Sequence, residues 1–304
     1  MKYKTTKTFD DDLALRNYVM ECDRQLDEEI ERAMQCIEQT RDLRLFGLTG
    51  PTCAGKTTAA KKITSILEAR GKRVRIVSVD DFYFDKDYLH ERADNNPDIE
   101  IDYDSEDTID IELFATQTKN LLSGREAFLP RFDFRSGKRV GADRVIPHEE
   151  DVFLFEGIQI LYPKVSAILN QSGNYQSLYI CPLSALHIGD LCFLPNEIRL
   201  MRRLVRDYLH RATLPTFTFY LWKSVRENEE KNIFPYTAAC DAQIDSTMPY
   251  EIGMLKVYLD PLLRDIPEQD PCIGEARKIL EKIKDVSPIP RHYISENSLY
   301  KEFI

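Results

Sequence analysis

Apolar positions along this chain follow two rhythms, and the changes between them divide it. Between residues 10 and 42, Leu13, Leu15, Tyr18, Val19, Cys22, Leu26, Ile30, Met34 and Ile37 recur at helical spacing among many charges, which predicts one or two amphipathic helices laid against a larger body. Short apolar runs at 43–48, 74–79, 151–157 and 177–181, bounded by turn residues, predict buried strands. Helical periodicity returns at 56–70, 109–122, 196–211, 220–232 and 250–263. The first strand, the helix after it and the second strand make a strand–helix–strand unit, hence parallel and right-handed. Residues 80–150, apart from the helix at 109–122, are rich in charge, Pro and Asn and are expected to face a ligand. Neither solenoid-like repeats nor low-complexity tracts interrupt this order.

Between the first strand and its helix stands Gly50-Pro51-Thr52-Cys53-Ala54-Gly55-Lys56-Thr57, the pattern G-x-x-x-x-G-K-T. Gly50 and Gly55 allow a backbone path that turns successive N–H groups inward, and the helix N-terminus behind them presents its own donors to the same anion. Such a loop is built for nucleotide phosphates. Lys56 is expected to reach the β- and γ-phosphates, Thr57 to place its hydroxyl on Mg²⁺, and Thr58 to add a second hydroxyl. The expected architecture is α/β, a P-loop NTPase-type three-layer fold with a mainly parallel sheet. A helical N-terminal extension (1–42) precedes the P-loop domain (43–270), which carries a substrate-facing insertion (84–150) and arginine-rich lid helices (196–232). A C-terminal helix and tail (271–304) follow.

Composition narrows the partners. A chain of 304 residues that is 43% hydrophobic and 30% charged can bury a substantial core. No apolar run approaches the ~20 residues that cross a bilayer, and Met1-Lys2-Tyr3-Lys4 leads into polar residues, so a cytoplasmic protein without a membrane partner is expected. Seven cysteines without C-x-x-C spacing fit reduced thiols better than disulfides or zinc. A net charge of −10 argues against general nucleic-acid binding, which needs excess Lys and Arg, so any anionic ligand must be captured locally. Whether copies of the chain associate into a homo-oligomer is left open.

In open parallel sheets, ligands bind beyond the carboxyl ends of the strands. Asp80 and Asp81 leave the second strand there, and Glu156 ends the third. Phosphoryl transfer to an alcohol needs a carboxylate to take the hydroxyl proton and oxygen ligands to hold Mg²⁺. Asp80 suits the first role. Glu156 suits the second, because an acid ending a buried strand beside a phosphate loop is costly unless paired or metal-bound. Opposite charge comes from Arg199, Arg202, Arg203 and Arg206, which helical spacing puts on one side, with Leu200, Met201, Leu204 and Tyr208 on the other and Arg211 following. Guanidinium groups grip phosphate oxygens in pairs, so this helix is expected to form a lid over the triphosphate.

Five ordered segments now make a resemblance. Ser78-Val79-Asp80-Asp81-Phe82-Tyr83, the stretch from Asp102 through Asp104 to Asp110, Pro130-Arg131-Phe132-Asp133-Phe134, Phe155-Glu156-Gly157-Ile158 and Arg202-Arg203-Leu204-Val205-Arg206-Asp207 resemble the motifs of uridine kinases. Those kinases stand with phosphoribulokinases and pantothenate kinases among P-loop kinases, and the similarity runs over about 43–263. Later segments, among them Trp222-Lys223-Ser224-Val225-Arg226, look like a bacterial uridine-kinase-like branch. The resemblance implies Asp80 as general base, Thr57 and Glu156 on Mg²⁺, Asp104 on ribose hydroxyls, and Arg203, Arg206 and Arg211 on phosphates, with Tyr83 and Phe132 at the substrate. Departures are equally specific. Uridine–cytidine kinases carry a tyrosine where this chain has Phe132 and a pyrimidine-reading histidine where it has Gly137, while Thr213 and Leu221 stand where they have arginine and glutamine. Phosphate chemistry is kept and the pyrimidine-reading set is not.

The sequence therefore points to an ATP-dependent kinase with Asp80, Lys56 and Arg206 at the reacting centre and a small metabolite as acceptor. The 5′-hydroxyl of a nucleoside comes first, with a sugar or sugar phosphate as the alternative. A nucleotide-binding switch is the reading from another class, although no [NT]-K-x-D guanine-reading sequence is present.

Overall fold

The computed structural model describes residues 2–9, 11–38, 43–95 and 105–304. In chain order its elements are β1 (Lys2–Thr5), α1 (Asp12–Glu38), β2 (Leu45–Thr49), α2 (Lys56–Ala69), β3 (Arg73–Ser78), α3 (Lys86–Asp94), α4 (Ile111–Leu122), β4 (Ala127–Asp133) and β5 (Lys138–Val145). There follow β6 (Asp151–Glu156), α5 (Pro163–Asn170), β7 (Tyr175–Cys181), β8 (Ser184–Ile188), β9 (Leu191–Phe193), α6 (Pro195–Arg211), α7 (Pro215–Asn232), β10 (Ala242–Asp245), α8 (Glu251–Arg264) and α9 (Ile273–Ile283).

The main sheet has the order β10-β7-β2-β6-β3, and every pairing in it is parallel. A parallel sheet is covered on both faces, which is why β2 is buried at all five positions and reads as a continuous apolar run. One core, containing Ile63 of α2, Leu204 of α6 and Leu255 of α8, lies under one face. A second, containing Phe114 of α4, Phe155 of β6 and Val165 of α5, lies under the other. The three-layer α/β architecture expected from the phosphate loop is the one observed. With β2 at the centre of the sheet, the loop that leaves its carboxyl end is flanked by strand ends on both sides.

Three features depart from the expectation. Residues 2–5 form a strand, β1, which pairs in parallel with β8 and makes a small second sheet with β9. From Asp12 to Glu38 the N-terminal segment forms one long helix, α1, whose Glu29 accepts from the Asp245 N–H at 2.8 Å and so ties it to the sheet's edge. The insertion contains the antiparallel hairpin β4–β5, invisible to hydropathy because β5 is exposed at all positions but the half-buried Arg139 and Val145. Beyond α9 the chain turns back across the body of the molecule. Ser295 and Ser298 bond to Asp23 of α1, Tyr300 donates to Glu251 of α8, and Glu302 reaches the first turn of α2. Among the described residues, no helix is long and apolar enough to cross a membrane.

Candidate active site

The loop takes the path its glycines allow. Gly55 has φ of +99°, in the left-handed region that a side chain rarely enters, and a Cβ on Gly50 would lie 2.1 Å from the Ile180 carbonyl oxygen of β7. Cys53 also has positive φ, 56°, and is buried. Lys56 folds over the loop, donating to the carbonyls of Gly50 at 2.8 Å and Pro51 at 3.0 Å. Thr57 is exposed and lines the cavity, and intrahelical bonding begins only with the Ala59 N–H to Gly55. The first amides of α2 are thus left for another acceptor.

A cavity of about 840 Å³ opens in front of this loop. Thr52, Cys53, Lys56 and Thr57 line one wall. Asp80, from the single turn after β3, and Glu156, at the end of β6, line the floor. Arg203, Arg206, His210 and Arg211 of α6 form the opposite wall, and Tyr83, Phe132 and Phe134 close a further side. The three aromatic rings pack edge-on or tilted, with centroids 5.2 to 6.2 Å apart. Asp104 lies outside the described residues. Gly50, Pro51, Ala54, Gly55 and Thr58 shape the loop and its helix behind the cavity wall.

Burial pushes the Asp80 carboxyl above the usual carboxylate range, against the pull of the Gln159 N–H and the charges of Lys56 and Arg211. Burial likewise raises Glu156, opposed by the Ser78 hydroxyl, which donates to it at 2.6 Å, and reinforced by the charge of Asp80. Asp81 faces elsewhere. It accepts from the Phe132 N–H at 2.9 Å and fixes the hairpin's aromatic residues over the cavity. Asp207 collects the cationic wall, accepting from Arg203 at 3.1 Å and from Arg206 at 3.0 and 2.7 Å, with Arg211 3.7 Å away. Its carboxylate offsets the repulsion among three guanidinium groups.

Two of the expected lid arginines are not there. Arg199 and Arg202 are 1% and 0% exposed, because α6 is crossed on that side by α7 and α8, which bring Glu229 and Glu251 against them. Arg202 donates to Glu251 at 2.7 Å, and Arg199 pairs with Glu229. Both then reach the back of the phosphate loop, Arg199 to the Thr52 carbonyl at 3.3 Å and Arg202 to the Cys53 carbonyl at 3.2 Å. They hold the loop's shape from behind. Tyr208, expected on the packed side, is instead 48% exposed. Sequence reasoning also missed Gln159 and Glu302, which both touch this site; the acid at 302 carries no local signal, since its partner Thr58 is 244 residues away.

A Mg²⁺ ion suits this donor set. The Thr57 hydroxyl and the Glu156 carboxylate would offer hard oxygen donors beside the glycine-lined loop, and Mg²⁺ is commonly held by one or two protein oxygens together with phosphates and water.

The family model for the phosphoribulokinase/uridine kinase family matches residues 45–251, well over half of the chain. The chain belongs to that family. Among its relatives, uridine-cytidine kinase C of Dictyostelium discoideum is 32% identical over 46% of this chain and 28% of its own length. Uridine kinase of Halobacterium salinarum is 30% identical over 55% of this chain and 64% of its own. The chain thus spans less than two thirds of the length of both. The solved structure of D-glycerate 3-kinase from Cryptococcus neoformans superposes with a TM-score of 0.45 at 15% identity, covering 70% of this chain and 89% of that one. The family region holds all the cavity residues named above except Glu302. Within it, Gly137 forms the left-handed turn of the β4–β5 hairpin, its N–H bonded to the Asp133 carbonyl at 2.8 Å. Thr213 bonds through its N–H to the Asp207 carbonyl just past the end of α6.

Proposed function

We propose that this protein is an ATP-dependent kinase that moves the γ-phosphoryl group to a primary hydroxyl of a small metabolite, the 5′-hydroxyl of a nucleoside. One observation carries the reading: the phosphate loop, the Asp80 and Glu156 carboxylates and three arginines of α6 line a single cavity. Asp80 accepts the acceptor's hydroxyl proton as its oxygen bonds to the γ-phosphorus and the bond from that phosphorus to the β,γ-bridging oxygen breaks, releasing ADP. Lys56, Arg203, Arg206 and Arg211 offset the charge on the transferring group, and the fixed cradle positions it. Mg²⁺ held by Thr57 and Glu156 would draw charge from the β- and γ-phosphate oxygens.

The acceptor side argues for a flat partner. Tyr83, Phe132 and Phe134 present ring surface where a base can stack, and stacking discriminates weakly between bases. With Phe132 in place of a tyrosine and Gly137 engaged in a turn, a set of polar groups specific for one pyrimidine is missing at these positions, and broad nucleoside acceptance follows. ADP release measured across purine and pyrimidine nucleosides, sugars and sugar phosphates tests the reading. Turnover with several nucleosides supports it; turnover with sugars or sugar phosphates alone overturns the nucleoside assignment, and ADP release with no phosphorylated product overturns the kinase.

A further inference from the structure

Asp80 does not stand alone at the end of its strand. Gln159, in the single turn after β6, is 1% exposed, and its Nε2 donates both to Asp80 Oδ1 at 2.6 Å and to the Tyr83 hydroxyl at 2.5 Å. An ionised carboxylate only accepts, so the amide nitrogen must be the atom that faces Asp80. The other end of the amide meets no hydrogen-bond donor among the described residues, although Gln159 Oε1 is fully buried. A buried acceptor without a partner is destabilising, and an apolar side chain of similar length would fill the turn without that cost. The arrangement makes sense for an amide whose two N–H groups are committed to orienting two neighbours. One is the base and the other a residue of the acceptor wall.

We propose that Gln159 is the positioning residue of this active site: its amide fixes the direction in which Asp80 presents its carboxylate to the acceptor and locks that direction to Tyr83. The proposal rests on the reading of Asp80 as the base. Its test is a cycle of Asp80→Asn and Gln159→Met, with Gln159→Glu as a near-isosteric companion in case the methionine variant does not fold. Gln159→Met is expected to lower kcat by roughly 10- to 100-fold, the scale of a small misplacement of a reacting group, with the KM for ATP changed less than about twofold. Gln159→Glu, which places a second acid against Asp80, is expected to lose kcat in the same way. In the Asp80→Asn background, Gln159→Met adds no further loss, because groups that act as one unit are not additive. Unchanged kcat in both Gln159 variants, a parallel loss of ATP affinity, or losses that add in full would overturn the positioning role. Wild-type turnover by Asp80→Asn would instead sink the reading of the base itself.

A separate observation concerns the tail, which lies outside the family match. Buried Leu299, Tyr300, Phe303 and Ile304 anchor it, and on this anchor the Glu302 carboxylate accepts from the Thr58 N–H at 3.1 Å and from the Thr58 hydroxyl at 3.3 Å. That amide is among the first of α2, the donors a phosphate loop offers to nucleotide phosphates. The geometry points to Glu302 as an internal competitor for the nucleotide, a carboxylate that entering phosphate must displace. This too rests on the loop binding ATP. Calorimetric titration with ATP is expected to show Glu302→Ala and Glu302→Gln binding about 3- to 10-fold more tightly than wild type, in keeping with loss of one charge-assisted contact at a half-exposed site. Equal or weaker binding by both variants would overturn the competitor role. Absence of ATP binding in wild type and variants alike would overturn the loop's assignment.

Discussion

Replacing Arg202 by Met tests how the phosphate loop is held. Arg202 and Glu251 are both 0% exposed and lie 2.7 Å apart. The guanidinium also donates to the Cys53 carbonyl of the loop and to the Ser246 carbonyl at 2.7 Å, and sits over the rings of Tyr300 and Phe303. Methionine keeps much of the length and removes the charge. Glu251 would retain the Tyr300 hydroxyl at 2.6 Å and the Met248 N–H at 2.8 Å, but its charge would be buried without a counter-ion. Breaking one side of a buried pair costs about 3–5 kcal/mol. At roughly 2–4 °C per kcal/mol for a domain of this size, the melting temperature should fall by on the order of 6–20 °C. Arg202→Met/Glu251→Gln, which removes both charges, should recover a large part of that loss. Chemical denaturation of wild type, both single variants and the double variant reads the coupling directly. A drop of less than about 1 kcal/mol for Arg202→Met would show that the pair is solvated, which refutes the buried clamp behind the loop.

Two further outcomes follow from the site. Activity should fall on the acid side as Asp80 takes up a proton, because the base works only when ionised. Its value is raised in the folded protein by burial, so the fall in kcat/KM should be centred above the ordinary aspartate range of about 3.9, in a transition shared with Glu156; a profile flat down to that range would contradict the assignment. Phe134→Ala, which removes one ring of the acceptor wall, should raise the nucleoside KM by about 2- to 10-fold and leave that for ATP unchanged, as steady-state kinetics would show.

Much of the fold is legible in local sequence pattern. The phosphate loop could be read because its chemistry is written in eight adjacent residues, and β2 and β6 because a strand covered on both faces is a solid apolar run. Asp80 and Glu156 stood out because the rule for parallel sheets marks strand ends, and the structure puts both in one cavity with Lys56. What escaped was non-local. Helical spacing placed four arginines on one side of α6, but which of them line the cavity depends on carboxylates 30 and 49 residues further on. Likewise nothing near Glu302 says that it meets α2, and nothing near Gln159 says that β3 brings Asp80 beside it. Hairpin β4–β5 stayed hidden because a strand exposed on both faces leaves no alternation to detect.

The most direct test of the account is a crystal structure with a non-hydrolysable ATP analogue, Mg²⁺ and a nucleoside bound together. The expected complex has the triphosphate in the loop beneath Lys56 and the 5′-hydroxyl within about 2.6–3.2 Å of an Asp80 oxygen. A nucleoside bound away from Asp80, or a triphosphate outside the loop, would contradict it.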